Sequence, residues 1–294
     1  MKAILSKPVS TERLGAWHLV GAILLGAIGV AVTFRAWEDM YTYAKGDEEY
    51  SHIFLVLPVA LWMIWVRRMR FRHCRPSGTI IGPLTIAVGW AMSSWGFNHA
   101  AQSLWHFGSV LIVLGCILSV LGKNVLFRFF PAVAVLAFLV PFPGQIRQDI
   151  AIPLQSWTAG IAQTLLEIMG VNTQVSGNVL SINGTAVTIA EACNGLRMVF
   201  PLILISYAFS FGLPLRQSVR FAVLLLSPLA AIACNVIRTL PTIWLYGNKS
   251  PLADVFHEWS GWIMLPVAFL LLMGIIRMLR WALLPVTRYT LAAQ

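Results

Sequence analysis

The sequence predicts an all-α polytopic membrane protein of about eight transmembrane helices, with a small extracytoplasmic β-hairpin before the helix that carries the candidate active site. Of its 294 residues, 58% are hydrophobic and only 11% are charged, and the mean hydropathy is +0.77. These values exclude an ordinary soluble domain. Apolar runs that can cross roughly 30 Å of hydrocarbon, at about 1.5 Å per helical residue, recur along the chain. We therefore treat residues 1–294 as one integral membrane domain, with an extracytoplasmic insert at about 143–194.

The predicted spans begin with a long apolar run near the N-terminus. No small-residue cleavage site follows this run convincingly, so we interpret it as a retained first span and not as a signal peptide. The second span is short by the usual length rule. In chain order the eight spans are 16–34, 53–66, 79–95, 104–121, 125–142, 196–213, 219–237 and 261–276.

The orientation follows from the basic residues, most of which fall in alternate connections between these spans. The basic residues of one set of connections are Lys2, Lys7, Arg13, Arg67, Arg68, Arg70, Arg72, Arg75, Lys123, Arg128, Arg216, Arg220, Arg277, Arg280 and Arg288. Cytoplasmic loops carry such an excess. We therefore expect both termini to lie in the cytoplasm. The net charge of +10 lies between the spans, so we expect no nucleic-acid partner.

The segment between the fifth and sixth predicted spans has a structure of its own. Residues 145–170 mix apolar and polar positions at helical spacing, which predicts a helix in or near the outer interface. Two short β-branched runs then flank Asn183-Gly184, a dipeptide that favours a tight hairpin turn. This hairpin would lead the chain to Cys193 at the start of the sixth span.

The stretch EACNGLRMVF, residues 191–200, places a thiol beside charged groups at that start. A cysteine at a helix N-terminus is stabilised as thiolate, and Arg197 adds a positive charge one turn later. Gly195 leaves room for a substrate backbone, and Glu191 can pair with Arg197. An isolated membrane cysteine is more often a small buried hydrophobe. The neighbours favour a reactive Cys193 that faces the periplasm.

The stretch CNVIRTLP, residues 234–241, supplies a second group at the outward end of the seventh span. Asn235 and Arg238 are three residues apart and share one helix face. That face must point to protein or water, since an arginine that faces lipid is costly. The alternative interpretation is an arginine that reaches the lipid headgroups from a helix end.

A histidine precedes the last span in VFHEWSGWIM, residues 255–264. With an ordinary pKa of about 6.5, His257 can accept and return protons near neutral pH. A lone interfacial histidine is more often structural, and Trp259 and Trp262 are typical membrane-interface anchors. Together, a thiol, an arginine and a histidine on one side of the bilayer suggest a nucleophile, an oxyanion donor and a base, although the spacing does not show that they touch.

The motif EACNGLR at 191–197, the pair Asn235 and Arg238, and His257 followed by Gly261 resemble the exosortase/archaeosortase family. The members of this family are polytopic membrane enzymes that process proteins with a C-terminal sorting signal, the PEP-CTERM type being best known. The resemblance covers most of the chain. It implies a cysteine-dependent transpeptidase or peptidase whose catalytic residues fall on Cys193, Arg238 and His257.

Supporting roles fall on Arg197, Asn235, Glu191 and Gly195. Ser51 and His52, at the outward start of the second span, also resemble a family feature and are candidate substrate-binding residues. The family commonly has glycine after this histidine, whereas Ile53 stands here.

The resemblance also implies the substrate and its chemistry. A membrane-anchored protein that ends in a recognition motif, a membrane helix and a basic tail would be cleaved through a thioester at Cys193. The acceptor would be water or an amine on a lipid or glycan. No cofactor and no metal is implied, and the sequence contains no metal-ligand cluster or phosphate-binding glycine loop.

Two other functions remain open at the level of sequence. A membrane transporter would have polar groups near the middle of its spans, whereas here they gather at one edge. A thiol–disulfide oxidoreductase usually needs paired cysteines, and only Cys193 and Cys234 are placed to pair on the oxidising side.

Overall fold

The computed structural model describes residues 14–76, 80–177, 179–182, 184–188 and 196–281, without some side chains in these ranges. The chain forms two compact units. The described part of the first unit comprises residues 14–46, 53–76 and 80–141, and that of the second comprises 47–52, 142–177, 179–182, 184–188 and 196–281.

The first unit is helical throughout its described part. It contains α1 (Ala16–Val32), α2 (Phe34–Gly46), α3 (Ile53–Val66), α4 (Ile81–Asn98), α5 (Gln102–Leu121), α6 (Lys123–Arg128) and α7 (Phe130–Ala134). Two 3-10 helices, Arg68–His73 and Val135–Leu139, complete it.

The α4–α5 pair is held at short range by glycines. A Cβ atom at Gly89 would lie 2.7 Å from the carbonyl oxygen of Gly108, and one at Gly108 would lie 2.4 Å from the backbone nitrogen of Ser93. Gly82, Gly96 and Gly115 are equally close to the facing helix. Small residues of this kind allow close backbone approach, which stabilises helix pairs in membranes.

Helix α2 was not predicted, because its charged residues exclude it as a span. It follows α1 after a bend of 79° at Thr33. It buries Ala36, Met40 and Ala44, which recur every four residues on one face. The region after the first predicted span is therefore an amphipathic helix.

The prediction of one continuous span over 125–142 is wrong. The segment is divided into α6, α7 and the 3-10 helix Val135–Leu139. Pro131 lies in the first turn of α7. Proline has no backbone N–H and is tolerated at the start of a helix but not in its interior, so a new helix begins here. The apolar composition of this segment concealed the break.

The second unit contains a 3-10 turn (Glu48–Tyr50), α8 (Gly144–Ile168), a small sheet, α9 (Leu196–Gly212), α10 (Gln217–Gly247) and α11 (Ala253–Trp281). The helix predicted at 145–170 is confirmed as α8. The strands are β1 (Thr173–Ser176), β2 (Val179–Ile182) and β3 (Thr185–Thr188), antiparallel in the order β1-β2-β3.

The predicted hairpin is thus corrected to a three-stranded sheet. The predicted turn joins β2 to β3, and Gly184 has φ 81°, which favours glycine. A first strand precedes them and pairs Thr173 with Ile182. A two-stranded hairpin is marginal alone, whereas a third strand and a packed face make it stable.

The sheet packs against α8 and the C-terminal part of α10. Leu180, Ile182 and Val187 form one core cluster with Ala159, Ala162 and Leu166 of α8 and Ile243 of α10. A Cβ atom at Gly247 would lie 2.8 Å from the Cβ of Ile182, so a glycine permits this contact. The chain therefore leaves β3 beside the Arg238-bearing helix.

Within the described residues, α5 and α10 are each long and apolar enough to cross a membrane. Two further candidates are pairs of helices joined by a sharp bend, namely α1 with α2 and Phe130–Leu139 with α8. Each pair is long and apolar enough to cross a membrane only if its two helices are counted as one span. The apolar helices Ile53–Val66, Val199–Gly212 and Pro266–Met278 are shorter. The membrane character is supported, and the count of eight spans stays a prediction.

Candidate functional site

Arg238 is buried in the middle of the second unit. Only 1% of its surface is exposed, and it is the largest of the fully buried side chains described. Its Nη2 donates a hydrogen bond to Asn235 Oδ1 at 3.2 Å, and Asn235 is equally buried. A buried guanidinium is costly unless oxygen acceptors surround it. Asn235 supplies one such acceptor from the preceding helical turn.

Helix α10 continues ten residues beyond the predicted end of its span at 237 and ends at Gly247. Arg238 therefore lies inside a helix, and the alternative of an arginine that reaches the lipid headgroups is excluded by its burial. Neighbouring hydroxyls bond to the helix backbone: Thr239 Oγ1 donates to the Asn235 carbonyl at 2.7 Å, and Thr242 Oγ1 donates to the Arg238 carbonyl at 2.8 Å.

His257 lies in the second turn of α11 and is half-buried. Its ring contacts Tyr246 of α10 edge-on, with centroids 6.4 Å apart. The Tyr246 hydroxyl donates to Asp254 Oδ1 at 2.8 Å, which ties the two helix ends together. Tyr246 is eight residues beyond Arg238, or roughly 12 Å along the helix.

His52 is buried with 1% of its surface exposed, whereas Ser51 beside it is exposed. The His52 ring stacks on Phe200 in the second turn of α9, with centroids 5.1 Å apart. Its Nδ1 lies 3.0 Å from the Glu49 carbonyl oxygen. Phe142 also stacks on Phe200, at 4.9 Å. His52 thus packs against the helix that directly follows the Cys193 segment.

An ion pair supports the turn that carries His52. Arg147 of α8 donates from Nη1 to Glu49 Oε2 at 2.6 Å and lies 3.6 Å from Asp47 Oδ2. Glu49 is 5% exposed, so this pair is better shielded than a surface salt bridge. The pair fixes the Asp47–His52 segment on α8.

The start of α9 packs beside the Arg238-bearing turn of α10. Val199 shares a core cluster with Ala230, Ala231 and Cys234 of α10 and with Ala268 of α11. Cys234 is fully buried and free. The three helices that bear or follow the candidate residues therefore share one core.

Three predicted site residues, Glu191, Cys193 and Gly195, lie outside the described residues, as does the side chain of Arg197. Their roles stay predictions. The described residues bring Asn235 and Arg238 into contact, and they place His257 beside Tyr246 and His52 beside Phe200.

A family model described as transmembrane exosortase matches residues 37–274, which is most of the chain. The chain belongs to the transmembrane exosortase family. The resemblance drawn from the motifs is therefore confirmed. Membership of this family implies a membrane protease or transpeptidase that acts on sorting signals. No curated protein and no solved structure matches this exosortase with significance.

Sequence reasoning missed the surroundings of His52 in this exosortase. Asp47 and Glu49 belong to an acidic run, and Arg147 is absent from the set of basic residues predicted to be cytoplasmic. Opposite charges on one side were a usable signal for the ion pair. The stacking of His52 on Phe200 joins residues 148 positions apart and had no such signal.

Proposed function

We propose that this exosortase cleaves a C-terminal sorting signal through a thioester at Cys193, with Arg238 as oxyanion donor and His257 as general base and acid. The observation that carries the proposal is the burial of Arg238 beside Asn235. A charge held in a shielded site costs stability, and such a cost is typical of functional positions in membrane proteins. A preorganised donor in a shielded site stabilises a developing oxyanion strongly.

The connectivity of the chain supports a position for Cys193 near these groups. It precedes Leu196 by three residues, so its Cα lies within about 11 Å of the start of α9. Val199 packs beside Cys234, one turn before Arg238. On the other side, Val187 packs against Ile243, five residues beyond Arg238. Both ends of the Cys193 segment are therefore anchored to the same helix.

The proposed reaction conserves atoms and charge at each step. His257 takes the thiol proton of Cys193, and the sulfur adds to the carbonyl carbon of the scissile peptide bond. Arg238 stabilises the oxyanion that forms. The C–N bond then breaks while the proton on His257 passes to the leaving amine, which gives a thioester and the free membrane tail. Water or an amine of a lipid or glycan then attacks the thioester and gives a proton to His257, the C–S bond breaks, and the sulfur regains that proton from His257.

In the proposed mechanism Arg238 acts on the scissile peptide bond from α10, and His257 acts on the same bond from α11. His52, Glu49 and Arg147 would position the start of α9, and through it the Cys193 segment. Exposed Ser51 would remain available to a substrate.

The substrate we propose is an exported protein anchored by a C-terminal helix with a basic tail. The enzyme would lie in a bacterial inner membrane with its active site facing the periplasm, as the basic residues indicate. An oxidoreductase that uses Cys193 and Cys234 is disfavoured, because thiol–disulfide exchange needs access and Cys234 is fully buried. No described contact favours a transporter.

The test is cleavage of a reporter bearing a sorting signal from the source genome, in cells that express Cys193→Ala or Cys234→Ala. Cys193→Ala should be inserted normally and leave the reporter uncut, because no thioester can form. Cys234→Ala should process the reporter at a rate near wild type. Normal cleavage by Cys193→Ala would exclude covalent catalysis by this residue.

A further inference from the structure

The first unit contains an apolar cavity of about 270 Å³ that the proposed reaction does not use. It lies between α3, α5 and the segment from Val125 to Leu139. Its lining consists of apolar residues, among them Leu57, Ile64, Phe71 and Leu114. A cavity with an apolar lining excludes water and favours an apolar ligand, so its shape and its rim decide which ligand fits.

The cavity lies alongside α5. The α5 residues that line it run from Val110 to Leu121. The eleven helical rises from Val110 to Leu121 correspond to roughly 16 Å. This length and an entirely apolar wall suit one acyl chain better than a bulky or polar ligand.

One end of the cavity has a cationic rim. Phe71 and Phe129 line that end, and of their sequence neighbours Arg72 and Arg128 are exposed and Arg70 is half-buried. Arg70 Nη1 donates to the Arg128 carbonyl at 3.2 Å, which joins the two basic segments across the cavity end. Further exposed basic residues of these segments are Arg68, Arg75 and Lys123.

We propose that the cavity is a binding site for an anionic phospholipid of the cytoplasmic leaflet. One acyl chain occupies the cavity, and the phosphate binds Arg70, Arg128 and Lys123. Charge complementarity supports this occupant, since basic pockets on the cytoplasmic side of membrane helices bind anionic headgroups. The transmembrane helix of the proposed substrate ends in a basic tail, which the same rim repels.

The test uses the full-length protein reconstituted with mixtures of phosphatidylglycerol and phosphatidylcholine of equal chain length. Lipids that stay bound after delipidation are counted by native mass spectrometry. Wild type should retain phosphatidylglycerol preferentially. The triple variant Arg70→Gln, Lys123→Gln, Arg128→Gln should lose that preference at least roughly tenfold, as expected from removing three phosphate-binding charges.

A matched control variant is Lys45→Gln, Lys249→Gln, Arg277→Gln, which removes three exposed charges elsewhere and should keep the preference. Ala60 lines the cavity, and Ala60→Leu would narrow it without changing a charge. This variant should therefore lower the retention of both lipids. Equal retention of the two lipids by wild type, or an unchanged preference in the triple variant, would overturn the proposal. Displacement of the lipid by a purified substrate would also overturn it and identify the cavity as a substrate site.

Discussion

Arg238 combines a permanent charge with nearly complete burial, and we propose for it a role that differs from that of Arg197. Arg238 belongs to α10, so it can approach the scissile carbonyl from a different helix than the one that follows Cys193. Arg197 follows Cys193 by four residues in the sequence, and we propose that its positive charge stabilises the thiolate before any substrate binds. In the proposed mechanism one arginine would act in the transition state and the other in the resting enzyme.

We therefore expect Arg238→Lys to lower reporter cleavage by about 10²–10³, the usual effect of losing an oxyanion donor. Lysine cannot replace the planar guanidinium well. The pH dependence of Cys193 alkylation by iodoacetamide should barely change. Arg197→Lys should retain more activity, and Arg197→Ala should shift the alkylation profile to higher pH. Normal cleavage by Arg238→Lys with an inactive Arg197→Lys would reverse the two roles.

His52 is expected to act by position, because its ring is stacked on Phe200 and shielded from solvent. His52→Phe keeps an aromatic ring for this stacking and should retain most of the cleavage activity. His52→Ala removes the ring and should lower both cleavage and the melting temperature. If His52→Phe were folded and inactive, the imidazole itself would contact the substrate.

At the scale of elements, the α4–α5 pair depends on glycines that face a neighbouring backbone. Gly108→Ala should destabilise the protein by about 1–3 kcal/mol, because its Cβ would meet the Ser93 backbone nitrogen at 2.4 Å. Gly160→Ala is the control, since nothing lies within 4 Å of its Cβ and alanine favours a helix. Melting temperatures in detergent should fall for the first variant and stay level or rise for the second. Equal values for both would contradict this packing.

The elements show which parts of the fold the sequence could predict. The bounds of α3 agree with the predicted span because its residues are uniformly apolar. The end of α10 was placed too early, because buried polar residues such as Asn235, Arg238 and Thr242 lower the hydropathy of a helix that continues. Similarly, α2 and the break at Pro131 depend on local packing and backbone geometry, which average hydropathy does not detect.

In the candidate site, too, the sequence predicted some contacts and could not predict others. Motif spacing predicted that Asn235 and Arg238 share a face, and their hydrogen bond confirms it. The contact of His257 with Tyr246 and the ion pair of Glu49 with Arg147 are tertiary contacts between separate elements. Such contacts require the fold, because local periodicity carries no information on distant partners.

At the scale of the whole molecule, orientation is still a prediction from charge. Cys74 is a poor reporter for it, because burial raises the pKa of its thiol despite nearby Arg128, and the side chain is fully buried. It would resist labelling from either side. Exposed positions are therefore needed on each side of the membrane.

Gln174→Cys and His73→Cys provide such positions, since both residues are exposed. In spheroplasts of variants that also carry Cys74→Ser and Cys193→Ala, an impermeant maleimide should label Gln174→Cys directly. It should label His73→Cys only after the membrane is permeabilised. The reverse pattern would invert the topology and place the proposed active site in the cytoplasm.

The most direct test of the central claim is detection of the covalent intermediate. The purified enzyme would be mixed with a sorting-signal substrate, quenched in acid, digested and analysed by mass spectrometry. We expect to find the trimmed substrate attached to the peptide that contains Cys193, and neutral hydroxylamine should release it. The same adduct should form in Cys234→Ala. Cleavage of the substrate with no adduct at Cys193, or with the adduct on another residue, would contradict the proposed mechanism.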